Sequence, residues 1–366
     1  LQSSSKNSGG TSTVHTFALP SLSIAPNAYA IVMGNPGNSV LPLNPQTALA
    51  YDAGFYPSWT ANGFIELISV NTGVTVDFVK FGTNSQTPIT STHWVGAQVA
   101  ALSSSIYGNA IVRSAGTITS QDSNSATDWI SVTFATPGGQ NDVPSGAVDA
   151  DGDGIPDSSE LPGSTYAGMD LYSMGARQSV RDIFIEVDHM DSTDPGIIPR
   201  TEALQKMVDA FAAKGIAVHF DAGTQFSAAF SPANFNLGQG NSTVTYEQCV
   251  DFTRGICTGN VSQLRSVYDW KLANFELRRK NIFHYMLFGS SQLVGGGSGS
   301  SGRAEIVCND SIITLGGWGL TTSPDANKLI NSQAGTIMPE FGHNLGLFHG
   351  GNEDVNYKPN YYSVMN

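Results

Sequence analysis

Apolar residues recur along this chain in two rhythms, and the change of rhythm divides it. Up to about residue 142, short apolar runs alternate with turn-forming residues: Ala28 to Met33, Phe64 to Val70, Val74 to Phe81 and Trp129 to Phe134. Runs of this length between Gly, Asn, Ser and Pro predict strands. Asn71-Thr72-Gly73 between the second and third predicts a tight hairpin. In the third run Val74, Val76 and Phe78 share one face, then Val79 and Phe81 share the other, a phase change that predicts a bulge. The expected architecture is an all-β sandwich or barrel.

From about Tyr172 the rhythm changes. Ile183 to Val187, Ile216 to Phe220 and Ile282 to Phe288 read as buried strands. Between the first two, Leu204, Met207, Val208 and Phe211 repeat at helical spacing, with Thr201 as the expected cap and Gly215 as terminator. A second helix is expected from a Ser262 cap through Leu264, Val267, Tyr268, Lys271, Leu272 and Phe275 towards Arg279. The Gly/Ser-rich loop from Gly295 to Gly302 has no basic residue, so it is not a phosphate cradle. Ala304 to Val307 and Ile312 to Leu315 follow as expected short strands. A last helix holds Pro339; a start near Ser332 or Gln333 would place the proline in its interior, so a kink, or a start close to Pro339, is expected. Strands alternating with helices predict α/β layers.

Composition narrows the partners. The chain has 366 residues, enough for two or three domains, and a formal charge of −13 with only 17 basic residues. That balance argues against nucleic-acid binding and against attraction to anionic membranes. No apolar run of about 18 residues is present, so no transmembrane segment is expected. Of the three cysteines, Cys249 and Cys257 can close a short disulfide loop and leave Cys308 free, or all three can be thiols. The chain starts without a signal peptide and stops at Asn366 within a motif, as a fragment would.

Two stretches carry metal chemistry. Asp149 to Glu160 fits D-x-D-x-D-G-x5-E throughout. Calcium takes six to eight oxygens around such a tight turn. Asp149, Asp151 and Asp153, the Ile155 carbonyl, Asp157 and Glu160 are the candidate ligands, and Gly154 permits the turn. The second stretch, Met338 to His349, reads M-P-E-F-G-H-N-L-G-L-F-H. It fits H-E-x-x-H-x-x-G-x-x-H at every place but the first, where Pro339 stands. Residues 339 and 343 lie on one helical face. Glu340 is the candidate general base, His343 and His349 are candidate zinc ligands, and Gly346 lets the chain turn.

Three resemblances follow from these motifs. "SLSIAPNAYAIVMGN", "GFIELISVNTGVTVDFVKFG", Trp94 and "ATPGGQND" resemble a lamin-tail domain, an immunoglobulin-like β module, over most of residues 14–142 with its usual first strand missing. Such a module implies a spacer or a binding domain for a surface, polysaccharide or protein ligand. Residues 143–168 resemble a thrombospondin type-3-like calcium loop. Residues 169–366, through "RDIFIEVDHMD", "NIFHYMLFG", "SSGRAEIVCND", "HNLGLFHGG" and Ser363-Val364-Met365, resemble a secreted metzincin-clan zinc metalloendopeptidase cut off after its Met-turn.

The metzincin resemblance implies an α/β protease domain with a mixed sheet and an active-site helix. It further implies protein or peptide substrates, an extracellular location, an edge strand at Ala304 to Val307, and Met365 as the floor under the metal. Pro339 departs from the family and leaves three accounts open. The chain is an inactive pseudoprotease that binds partners, or an enzyme with one lesion, or a zinc site completed by His189, His219 or His284.

Overall fold

The computed structural model describes residues 1–6, 12–16, 18–19, 23–26, 28–34, 49–52, 62–102, 109–114, 122–252 and 265–365. They belong to two compact units. One comprises Leu1–Ala150 with Pro156–Leu171, the other Asp151–Ile155 with Tyr172–Asn366.

The first unit is built of strands. β1 (Gln2–Lys6) and β2 (Ser12–Thr16) pair antiparallel. β3 (Ile31–Gly34) and β4 (Leu49–Asp52) form a separate parallel pair. β5 (Gly63–Ile68) and β6 (Thr75–Phe81) are the expected hairpin and extend the first pair to the order β2-β1-β5-β6. Gly73 takes φ +69° in the connecting turn, a value that suits glycine. β7 (Ala110–Arg113) pairs with β8 (Trp129–Val132). The hairpin is irregular, but not where the phase of the apolar residues suggested. Leu67 faces Asp77 and Ile68 faces Thr75, so Val76 is the extra residue. Phe78, Val79 and Phe81 are all buried because both faces of the strand are covered there. They join Phe64, Trp94 and Val99 in one core, with the Phe78 ring 5.9 Å from Phe64 and 5.7 Å from Trp94. At the end of this unit Asp142 accepts bonds from Thr165 Oγ1 and from the amides of Ala167 and Gly168.

The second unit is an α/β layer structure. After a single turn, α1 (Leu171–Met174), the chain forms β9 (Arg181–Met190), α2 (Thr201–Ala212) and β10 (Ile216–Asp221). β11 (Thr243–Val244), α3 (Val267–Asn274), β12 (Phe283–Phe288), β13 (Gly302–Ala304), β14 (Asp310–Ile313) and α4 (Ala326–Asn344) follow. The sheet order is β10-β9-β12-β14-β13, with β11 added to the end of β9. All pairings are parallel except that of β13, the antiparallel edge.

One face of the sheet carries Ile185, Val187, Met286, Phe288 and Ile313 against Leu204 and Met207 of α2 and Ile337 and Phe341 of α4. Gln333 locks the two helices together. It is fully buried, accepts from the Arg200 amide at 3.0 Å and donates to the Ile198 carbonyl at 2.8 Å. On the opposite face Phe275, which ends α3, meets Tyr285 of β12 at 5.8 Å.

Several boundaries differ from the sequence reading. Thr201 is the first helical residue of α2, and Arg200 precedes it with no side-chain cap. Ser266 caps α3 and forms a capping box with Asp269; Ser262, Leu264 and Cys257 lie outside the described residues. Trp270, one turn on from Val267, is the large buried residue of that helix. The edge strand is Gly302–Ala304, where Ala304 to Val307 was expected, because Val307 takes φ +55° in the turn to β14. α4 starts six residues before Ser332 and continues through Pro339. Cys249 is disulfide-bonded, and Cys308 is a free exposed thiol.

Candidate active site

α4 supplies four residues of one cleft, Gly335 among them. Pro339, Glu340 and His343 line it, together with Gly302, Ala304, Phe348, His349, Tyr357 and Met365, around a volume of about 500 Å3. The helix ends as the motif predicts. Gly346 has φ +88°, its amide donates to the His343 carbonyl at 2.9 Å, and the Leu347 amide donates to the Gly342 carbonyl at 2.9 Å. Glycine at this left-handed position closes the helix and swings His349 back towards His343, ring centroids 4.9 Å apart.

The two imidazoles are held in the same way. His343 Nδ1 lies 2.7 Å from the Leu347 carbonyl and His349 Nδ1 lies 2.7 Å from the Met365 carbonyl. A carbonyl only accepts, so each Nδ1 carries a proton, and in the neutral imidazole the lone pair is then on Nε2. That is the tautomer a metal ligand needs, set by the partner of the other nitrogen. Met365 is buried beneath the helix. A Cβ at Gly342 would lie 2.6 Å from its sulfur, so the bare glycine lets the thioether come close. Sequence reading did not single out Gly342, although a glycine within a helix is a signal of close packing.

Glu340 is largely buried, and burial alone raises its pKa to about 7. Desolvation disfavours the carboxylate. A carboxyl group poised near neutrality can take and return a proton.

Among the described residues no third protein ligand joins His343 and His349. No three His, Cys, Asp or Glu ligand atoms come within 4.8 Å of one another at this cleft among the described residues. The histidines considered as substitutes are elsewhere. His189 contacts Gln225 Oε1 at 3.0 Å, and His219 contacts Asp182 Oδ1 at 2.6 Å and stacks on Phe184. His284 packs against Phe341, and burial lowers its pKa to about 4. None of the three lines the cleft. The donor set thus fits zinc in tautomer but not in number, since it supplies two ligands where catalytic sites normally have three.

In the acidic loop, the carboxylates of Asp149, Asp151 and Asp153 come within 4.8 Å of one another. Gly152 and Gly154 take φ +79° and +94°. Glu160 is 2% exposed. Ile155 is buried, its amide donating to Asp153 Oδ1 at 2.8 Å. Asp157 is turned to local use, since its Oδ1 accepts from the Ala150 amide at 2.8 Å. Asp182 of β9, which sequence reading missed, donates its amide to Asp153 Oδ2 at 2.7 Å. Carboxylates crowded in this way suit a hard cation with oxygen ligands.

Comparison with family models, with characterised proteins and with solved structures returned no match. The described residues contain no helix long and apolar enough to cross a membrane.

Proposed function

We propose that this chain is a zinc-dependent metalloendopeptidase of the metzincin type that carries one lesion, Pro339, at its first ligand position. In this reading the first unit is a lamin-tail-like, immunoglobulin-like binding module. The acidic loop is a calcium site, and the protein works outside the cell. The observation that carries the reading is the convergence of Glu340, His343 and His349 in one cleft, with both Nε2 lone pairs open. The disulfide at Cys249 supports an oxidising compartment.

His343 and His349 would hold the metal. Zinc would supply Lewis-acid polarisation of the scissile carbonyl and of a water. Glu340 would accept a proton from that water and return it to the leaving amine. Met365 would close the floor, and the edge strand β13 would pair with an extended peptide.

A second reading, a pseudoprotease that binds polypeptide without cutting it, draws on Pro339. Metal analysis and digestion of a denatured protein test both. Sub-stoichiometric zinc with weak, chelator-sensitive cleavage is expected. Bound polypeptide left uncut in excess zinc would overturn the enzymatic reading for this chain.

Calcium is tested separately. Removing it with a calcium-selective chelator is expected to lower Tm, because Asp149, Asp151 and Asp153 then repel one another uncompensated. At a free calcium concentration 100-fold above Kd the stabilisation is about 2.7 kcal/mol. Thermal melts with added calcium, or magnesium instead, would check it. No shift on chelation would remove the loop as a calcium site.

A further inference from the structure

We infer that Gly302, on the edge strand, is a positioning residue for Glu340: its bare α-carbon forms the wall that holds the carboxyl group in place. The inference rests on the peptidase reading for its catalytic meaning, but its geometry stands alone. A Cβ built at Gly302 would lie 2.6 Å from Glu340 Cγ, 2.7 Å from Glu340 Oε1 and 2.8 Å from Thr336 Cγ2. Contacts below 3.0 Å force a displacement, and here the displaced atoms include the reactive oxygen.

Among the described residues no hydrogen bond or ion pair reaches the Glu340 carboxyl group, and burial is the sole influence on its pKa. Carboxyl groups of catalytic bases are usually oriented by a donor. Here packing performs that task, with Gly302 on one side and the helix on the other. The strand cannot retreat from an added methyl group without cost. Gly302 pairs with Ile313 of β14, and Ile313 is fully buried. Movement of Glu340 into the cleft is the easier response, and it carries the carboxyl group away from its slot.

The test is a double-mutant cycle on the full chain. Gly302→Ala and Glu340→Ala are made singly and together in a Thr336→Ser background, which removes the overlapping threonine methyl group. Alanine at 340 removes both overlapping glutamate atoms, Cγ and Oε1. Gly302→Ala is expected to lower Tm by about 3–10 °C with Glu340 present, and by less than a third of that with alanine at 340. Equal losses in the two backgrounds would overturn the inference, because a purely structural role for Gly302 in β13 does not depend on residue 340.

A second readout uses the Pro339→His chain. There Gly302→Ala is expected to lower kcat at least tenfold, with zinc content unchanged. A fall in zinc content, or a rise in KM alone, would contradict a role through Glu340. If the Pro339→His chain shows neither zinc nor cleavage, the peptidase reading fails. The melting cycle still decides whether Gly302 positions Glu340.

Discussion

Replacing Arg279 with leucine is expected to destabilise the α/β unit by about 3–5 kcal/mol, the usual cost of leaving a buried charge without its partner. Arg279 is 2% exposed, and its Nη1 donates to Glu186 Oε2 and to Asp221 Oδ2, each at 2.8 Å. Burial opposes its charge, but the two carboxylates outweigh burial and hold its pKa above the ordinary value. A third carboxylate, Asp188, lies two residues from Glu186 on β9 and accepts from Tyr285 at 2.9 Å and Gln239 at 3.0 Å. One guanidinium therefore bonds two buried acids, with a third close by on the same strand. Burial raises Glu186 to about 8 against the pull of Arg279, and raises Asp188 to about 7 against the bonds from Tyr285 and Gln239.

The sign of the pH dependence follows. Both folded values exceed the unfolded values near 4. Their contribution is complete below about pH 4 and is lost as pH rises through 7 and 8. The parent unit should lose stability from this network between pH 5.5 and 8.5. In the leucine variant Glu186 loses its counter-charge, so the loss should be larger at pH 8.5 than at pH 5.5. Urea unfolding at the two pH values measures it. Equal losses would assign Arg279 to packing against Phe283, 4.5 Å away, and not to charge.

This network shows where sequence reading stops. The core strands were legible because apolar runs of Ile, Val and Phe with flanking turn residues have few alternatives. The run Asp182-Ile183-Phe184-Ile185-Glu186-Val187-Asp188 also contained a signal: acids two apart on a buried strand need a cation. Its supplier, Arg279, lies 93 residues from Glu186 in the chain, and no local pattern connects them. The helix starts show a related limit. Thr201 fits the local preference for a cap but is the first helical residue of α2, and at α3 the reciprocal pair of Ser266 and Asp269, three residues on, sets the start. At the cleft, the motif identified Glu340, His343, His349 and the Gly346 turn directly. Gly302 and Gly342 were not legible. Their importance lies in which side chain occupies the space a Cβ would fill, and only the packed structure holds that information.

Pro339→His is expected to act twice, and the two effects separate. The first needs no metal. α4 runs unbroken from Ala326 to Asn344, so Pro339 sits in its interior without an N–H for the carbonyl of Gly335 one turn back. Proline there costs about 3 kcal/mol relative to alanine, and histidine costs under about 1. The metal-free variant should therefore be more stable than the parent by about 2–3 kcal/mol, measured by urea unfolding in chelator. The second effect is at the cleft. Position 339 lines it one helical turn from His343, so a third imidazole would face the other two. Zinc content is expected to rise to about one per chain, with chelator-sensitive peptide cleavage that Glu340→Gln removes while the zinc stays. A variant that gains metal-free stability and yet binds no zinc would show that the helix was repaired but that the cleft is not a zinc site. The retained geometry of His343, His349 and Glu340 would then have to serve binding, and the pseudoprotease reading would replace the enzymatic one.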